Sequence, residues 1–446
     1  MKYLWKNKIL IALLLLLTIL FPSTISTPQQ SRTENIVTAV GIDKIGDEYE
    51  VSIQYVIPYA DSAEGTFKMS SAKGKTVGEA VETLSVQTGR LSGFAHCRAL
   101  LFNQEASEDD MTSILDYFIR IKPNTNNIVL LYTKKSSKDT LSAVKNFNGE
   151  FYTILNANGL SNDQRRYQEF KNIGDYYNSF FSPSKSIEIS VIDVMDNSNQ
   201  QSRQSSGGSS GSSSGSSGGS SGGSSGGGGS SSGSGQSSNA SSSNTSSSND
   251  MSSGSSGGES GGGEKKVFNA GEKLILKDAK KVALLDKEQS SNLSFFNPKI
   301  MDMSYSLEHF SDELCKDVSI IFDIHDKNCK VVPSFENGVP HYTLDLTLNM
   351  RTTEISGGNV GEEMYYVLNK KFSETLKQTL KESVTNNLRQ AEQHFKQYKY
   401  DVIKCYETFY KFKNKEFKQY LSTLPEGKYF MEDIVFDYKV TIIQQL

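Results

Sequence analysis

SSGGSSGSSSGSSGGSSGGSSGGGGSSSGSGQSS, residues 205–238, decides how the rest of the chain is organised. The same composition runs from Asn197 to Gly263, where Ala240 and Met251 are the only apolar side chains. No aromatic residue falls between Phe181 and Phe268. A segment this poor in apolar surface cannot offset its ordering entropy, so the sequence predicts a flexible coil. At roughly 67 residues its r.m.s. span is on the order of 45 Å. It is read as a passive spacer between two folded parts that can move relative to one another. Asn239-Ala240-Ser241 and Asn244-Thr245-Ser246 fit a glycosylation pattern, as chance allows in so Ser-rich a tract.

The boundaries follow from the tract. Residues 1–28 read as a signal sequence or signal anchor, 31–195 as an N-terminal α/β domain, 196–265 as the disordered linker and 266–446 as a C-terminal α+β domain. The last part has room for two subdomains, 266–315 and 316–446. Each folded part is long enough to bury its own core. The fold class is therefore α+β, as two mixed α/β ectodomain parts. With 47 basic and 51 acidic residues the net charge is −4, without the basic stripe of an electrostatic nucleic-acid binder. Four cysteines, Cys97, Cys315, Cys329 and Cys405, do not make a disulfide framework for 446 residues, although a Cys315–Cys329 bridge stays open.

Lys2, Lys6 and Lys8 precede an apolar run from Ile9 to Phe21, the layout of a secretory signal. Thirteen helical residues span about 20 Å, short of a roughly 30 Å hydrocarbon core. Extended to Ile25, the run reaches the lower limit for a span. Cleavage after Ser26, with Thr24 two residues before it, is the alternative to a retained anchor, which is favoured. The lysines stay inside, so the chain after the run is expected outside the cytoplasm.

Beyond the anchor, Asn35–Asp43 and the alternating Tyr49, Val51, Ile53, Tyr55 and Ile57 read as a hairpin turning through Lys44–Glu48. Gly74-Lys75-Thr76 resembles the tail of a phosphate-binding loop, but Met69 stands where that loop needs glycine. Thr76 and Glu79 instead form a capping box, opening a helix that buries Val77, Ala80, Val81 and Leu84 and ends at Gly89. A strand at Arg98–Asn103, a helix with Met111, Ile114, Leu115 and Phe118 inward, a strand at Ile128–Tyr132 and a helix at Lys138–Phe147 come next. Phe151–Phe181 is read as partly helical and Ile187–Val194 as a strand.

After the tract, Val267–Leu276 reads as two short strands around Gly271. Val318–Ile324 and Cys329–Val332 read as two more, turning at Asp326-Lys327-Asn328. Tyr342, Leu344, Leu346, Leu348 and Met350 alternate with polar residues, the pattern of a one-sided strand. A helix from near Glu362 carries Leu368, Phe372, Leu376, Leu380, Val384 and Leu388 every four residues. That stripe drifts about 40° per step, so the helix is expected to bend or to meet two surfaces. A second helix is expected over Val402–Leu421, and a last strand, Ile434–Ile442, pairs with Tyr342–Met350.

No catalytic, cofactor-binding or metal motif stands out, and no site residue, cofactor or metal is assigned. His96 and Cys97 are adjacent, yet neighbours in an extended segment point to opposite faces. His309, Cys315, His325, Cys329 and His341 match no compact zinc spacing, and only His325 and Cys329 could meet across the expected turn. The residues alone describe an exported, membrane-tethered protein that works by binding. An exported hydrolase or a surface adhesion or scaffold module is the alternative.

A family resemblance rests on five stretches in order. Thr38-Ala39-Val40-Gly41-Ile42-Asp43 resembles the opening strand of the Ger(x)C spore germination proteins. Gly89-Arg90-Leu91 through His96 to Arg98–Asn103, and Leu115-Asp116-Tyr117-Phe118-Ile119-Arg120, are similar to the next strand and helix of that family. Gln390–Gln397 with Tyr398-Lys399-Tyr400-Asp401-Val402-Ile403 resembles the family's C-terminal helix and its Lys-x-Asp junction, and the final strand fits as well. The resemblance implies a multi-domain α/β ectodomain in a non-enzymatic subunit of a nutrient germinant receptor in the inner spore membrane. The implied partners are two multi-pass membrane subunits, A- and B-type; direct nutrient binding by this subunit is not expected. Two departures stand out. The family's lipid-modified cysteine after the signal is missing, and the Ser/Gly tract is unusual.

Overall fold

The computed structural model describes residues 34–56, 67–121, 125–143, 169–196, 265–312, 315–357 and 372–445. The signal or anchor segment, the Ser/Gly tract, Ile57, Val144 and Leu368 lie outside them. The chain is mixed α/β, with two sheets: one built from strands on both sides of the tract, the other wholly from strands after it.

The first sheet has the order β3-β2-β1-β5-β6-β7-β8-β9, with β4 beside β1. Its strands before the tract are β1 (Glu34–Ile45), β2 (Glu48–Val56), β3 (Phe67–Gly74), β4 (Leu91–Gly93), β5 (Ala99–Phe102), β6 (Val129–Thr133) and β7 (Ser186–Asp196). After the tract come β8 (Lys265–Lys277) and β9 (Lys280–Leu285). Strands β1, β5, β6 and β7 run parallel, and Gly41, Leu101, Leu131 and Ser190 form one row across them. Helices connect these strands as crossovers require. They are α1 (Val77–Thr88), α2 (Gln104–Glu108), α3 (Met111–Ile121), α4 (Ser137–Ser142) and α5 (Ile173–Phe180). Because successive side chains leave opposite faces, Val40, Leu100 and Leu130 bury with α1, α3 and α5. Ala39, Leu101 and Leu131 bury with Leu141 of α4 on the other face.

The expected cap at Thr76 is present, with its hydroxyl accepting the Glu79 N–H at 3.1 Å and Gly89 closing the helix at φ +67°. Strand β2 is not one-sided. Ser52 and Gln54 are as buried as Val51 and Ile53, and Thr38 donates to the Gln54 side chain at 3.1 Å.

Two readings of the segment after the tract differ from the structure. Gly271 sits at φ +73° inside one continuous strand, β8, instead of separating two short ones. Strands β8 and β9 then pair into the first sheet, so the residues that complete it come from beyond the tract. The described residues up to Met195 and those from Lys265 onward form one compact unit.

The second sheet, β10-β11-β12-β13, is built from Met303–Phe310, Val318–Glu336, Val339–Ser356 and Val435–Gln444, after helix α6 (Lys287–Ser294). The predicted turn at Asp326-Lys327-Asn328 is a bulge within β11, where the register to β12 slips between His325 and Asn328. Asp326 has φ 53° there, which explains why turn-forming residues occupy the middle of a strand. The alternation over Tyr342–Met350 is as expected, and β13 pairs with it in parallel, Leu344 opposite Tyr438.

Helix α7 (Glu374–Gln397) starts at Ser373, whose hydroxyl accepts the Leu376 N–H at 3.0 Å, later than Glu362. It buries Leu376, Leu380, Val384, Leu388, Ala391 and Phe395. The single three-residue step, to Ala391, resets part of the drift, and the helix meets two surfaces, β13 with β10 and α6. The helix expected over Val402–Leu421 is two, α8 (Cys405–Phe412) and α9 (Asn414–Thr423), broken at Lys413 (φ −137°).

Candidate functional site

The two sheets meet along a polar seam, and several buried charged groups, Asp401, Lys327, Lys273 and Glu188, lie along it. Strand β7 supplies one side. Ser184, just before it, donates its hydroxyl to Glu407 at 2.9 Å, and the Ser186 hydroxyl accepts the Asp401 N–H at 3.1 Å. Lys277, at the end of β8, donates to the Lys399 carbonyl and lies 4.8 Å from the Tyr429 ring centroid.

Asp401 is the centre of this side. Its carboxylate accepts the N–H groups of Cys405 (2.8 Å) and Tyr406 (2.9 Å), the first donors of α8. Lys404, the residue before the helix, has φ 56° and no side-chain cap, so Asp401 does the capping from four residues upstream. Burial pushes the Asp401 carboxyl up to about 7, against the pull of the two backbone donors.

Further along the seam, Glu188 of β7 pairs with Lys273 of β8 at 2.8 Å, and both are buried. Glu169 binds Lys171 (2.6 Å), Lys299 (2.5 Å) and Asn297 (3.0 Å). Burial alone would raise this carboxyl, but the bonds from Lys171, Lys299 and Asn297 outweigh it and hold it at about 2. Lys327, in the bulge of β11, gives its ammonium to the carbonyls of Ser294 (2.5 Å), Asn297 (2.8 Å) and Phe295 (3.4 Å). Burial pushes it down to about 8. A cavity of about 380 Å³ opens here, with Glu169, Glu188, Asn297, Tyr342, Ile403 and Thr408 on its walls. Its carboxylates already have partners, Glu188 in Lys273 and Glu169 in Lys171 and Lys299, so the cavity reads as part of a joint.

The histidines and cysteines weighed from sequence are scattered. His96 is exposed in a turn while Cys97 is buried and donates to the Ala99 carbonyl at 3.5 Å. His309 pairs with Asp317 (2.7 Å), His325 with Asp302 (3.5 Å) and His341 with Asp437 (2.9 Å). His325 and Cys329 sit on one strand, on either side of the bulge, and do not face each other across a turn. Cys315 and Cys329 do not form the bridge that their sequence leaves open, for all four cysteines are free. Burial pushes the thiols of Cys315, Cys329 and Cys405 up, Cys315 to about 11, away from the reactive thiolate. Among the described residues no three His, Cys, Asp or Glu side chains are placed to hold a metal ion.

The motif residues have structural duties. Asp43 accepts the Ser137 N–H (2.7 Å), the Lys138 N–H (3.1 Å) and the Ser136 hydroxyl (2.8 Å), fixing the start of α4 on the sheet. Gly41 lets α4 approach, since a Cβ there would lie 2.8 Å from that of Ser137. Lys399-Tyr400-Asp401 carries the seam. Sequence reasoning found these stretches but not their long-range partners, because Ser186 and Glu169 carry no local signature.

Two family models match the chain, a spore germination protein N-terminal domain over residues 30–194 and a spore germination B3/GerAC-like C-terminal region over residues 271–443. The chain belongs to the GerAC family of spore germination proteins. As a GerAC-type chain it is a C-type germinant receptor subunit acting in spore germination. The crystal structure of the GerBC protein is similar at 14% identity and a TM-score of 0.47, over 91% of this chain and 97% of that one. No curated protein matches the chain. The GerAC boundaries leave out residues 195–270, which hold the Ser/Gly tract and the first residues of β8.

Proposed function

We propose that this chain is a non-enzymatic subunit of a nutrient germinant receptor, held by residues 1–28 on the outer face of the inner spore membrane. Its partners there are the A- and B-type multi-pass subunits of the same receptor, and it serves nutrient-triggered exit from dormancy. The observation that carries this reading is the family match on both sides of the tract, in order and over both sheets. The seam agrees with a joining role, since Glu188 pairs with Lys273 and Asp401 caps α8, so these buried charges hold elements together.

The test is germination of spores from a strain lacking the protein, followed by optical density and dipicolinate release under a panel of nutrients. Loss of response to one nutrient class, restored by the gene, supports the reading. Normal germination on every nutrient in a strain lacking all paralogues sinks it. The non-enzymatic part is tested by replacing His96, Cys97, His325 and Cys329 together. Germination should persist, and its loss in a chain that still folds would argue for catalysis.

A further inference from the structure

Helices α8 and α9 form a tip with two different sides. Inward, Phe409, Phe417 and Tyr420 are buried in the second core, with Phe409 and Phe417 stacked at 5.3 Å. Outward, Phe412 is 60% exposed and Tyr410 45%. Around them the sequence places Lys404, Lys411, Lys413, Lys415 and Lys418 against only two acids, Glu407 and Glu416. Glu407 is turned inward onto Ser184. In the next loop Glu432 is paired with Lys399 and Asp433 with Lys428. Lys411 lies 5.1 Å from the Phe412 ring and Lys418 5.4 Å from that of Tyr410, so each exposed ring has an ammonium beside it. Outside this tip the chain carries a small net negative charge, so the basic cluster is local.

The position of the tip adds a second, independent argument. Ser190 of β7 is level with Gly41 of β1 through Leu101 and Leu131. Ser186 begins β7 four residues earlier, and Val37 occupies the same level on β1, next to Glu34 where the described chain enters. Ser186 and Ser184 hold Asp401 and Glu407 at the start of α8. Helix α8 is therefore docked at the end of the sheet at which the chain arrives from its N-terminal segment. Three strand spacings, ~14 Å, separate β1 from β7.

We propose that the α8–α9 tip docks on an anionic phospholipid surface, with Phe412 and Tyr410 entering the interface and the lysines meeting the headgroups. Exposed aromatics flanked by lysines suit that boundary, where the ring enters the acyl edge and the ammonium stays with phosphate. The proposal rests on the membrane placement in the proposed function, and it adds a second point of contact besides the N-terminal segment. Two contacts at one end fix the orientation of the ectodomain, which one flexible tether cannot.

The test uses the full chain in vesicles of phosphatidylcholine with or without phosphatidylglycerol, part of whose acyl chains carry bromine as a quencher. Trp5 is the sole tryptophan and reports on the N-terminal segment. The Trp5→Phe, Phe412→Trp chain reports on the tip, at a position exposed enough to accept the indole. The tip indole should be quenched on vesicles containing phosphatidylglycerol and not on phosphatidylcholine alone. Each lysine near such a surface shifts the docked-to-free ratio by about fivefold. Replacing Lys411, Lys413, Lys415 and Lys418 with Gln should therefore abolish the quenching, with circular dichroism unchanged. If Trp5 is quenched and the tip indole is not, the tip proposal fails and membrane placement stands. If neither is quenched, membrane placement fails and the tip with it. Shielding of the tip only when multi-pass receptor subunits are added would overturn the lipid assignment in favour of a protein contact.

Discussion

The Ser186 hydroxyl accepts the amide N–H of Asp401 at 3.1 Å, across 215 positions of chain and from the first sheet to the loop between α7 and α8. The bond orients the loop whose carboxylate caps α8. Asp401→Ala leaves two buried donors, those of Cys405 and Tyr406, without an acceptor. It should cost about 1–3 kcal/mol of stability, read as a lower midpoint in denaturant. Ser186→Ala should cost less, because only one bond is lost. An unchanged midpoint in the Asp401 variant would show that the seam is not stabilising.

The same carboxyl sets a pH dependence. Its folded value, about 7, lies above the ordinary 3.8, so the folded chain holds a proton that the unfolded chain releases. The associated stability is complete below 3.8 and is lost as pH rises through 7. Asp401→Asn should flatten the stability profile across that window, as thermal unfolding in a pH series would reveal.

Glu169 works in the opposite sense. Held at about 2 instead of 4.5, it contributes stability that is present above 4.5 and lost as pH falls toward 2. Glu169→Gln should remove this acid-side loss and lower stability at neutral pH, since Lys171 and Lys299 lose their shared partner. A variant with the parent's acid limb would refute the assignment.

Gly41→Ala tests the approach of α4. The added methyl would meet the Ser137 Cβ at 2.8 Å and Leu141 at 3.1 Å, both buried. A loss of about 1–3 kcal/mol is expected, because a close-packed site must shift to admit it. Hydrogen exchange should show the loosening first in α4 and β1.

Thiol counting checks the cysteines. With no bridge, four thiols should react in denaturant without reductant. In the native state Cys97, Cys315 and Cys405 are buried, and half-buried Cys329, its thiol pushed up by burial, should react slowly. Two missing thiols in the unfolded, unreduced chain would mean a disulfide.

Much of the fold was legible from periodicity. The alternation at Tyr342–Met350 and Ile434–Ile442 identified two strands and their pairing, and the apolar faces of both lie in one core. The four-residue stripe of α7 announced its two contact surfaces. The parts that stayed hidden had either a misleading local signal or none. Asp326-Lys327-Asn328 has turn composition, yet Lys327 is buried because its ammonium closes the carbonyl end of α6. Lys413 breaks a helix without glycine or proline. The seam was invisible for a different cause. Ser184, Ser186 and Glu169 are ordinary polar residues until the fold brings Glu407, Asp401 and Lys299 to them.

The arrival of β8 and β9 from beyond the Ser/Gly tract has a consequence for the order of folding. During synthesis the first seven strands emerge long before the two that finish their sheet. Until then β7 presents an open edge, and Glu188 has no Lys273 to neutralise it. Closing that edge is a contact of high sequence separation, the kind that forms late. A fragment cut at the tract would carry the same open edge permanently and should self-associate. One that continues through Leu285 retains both covering strands.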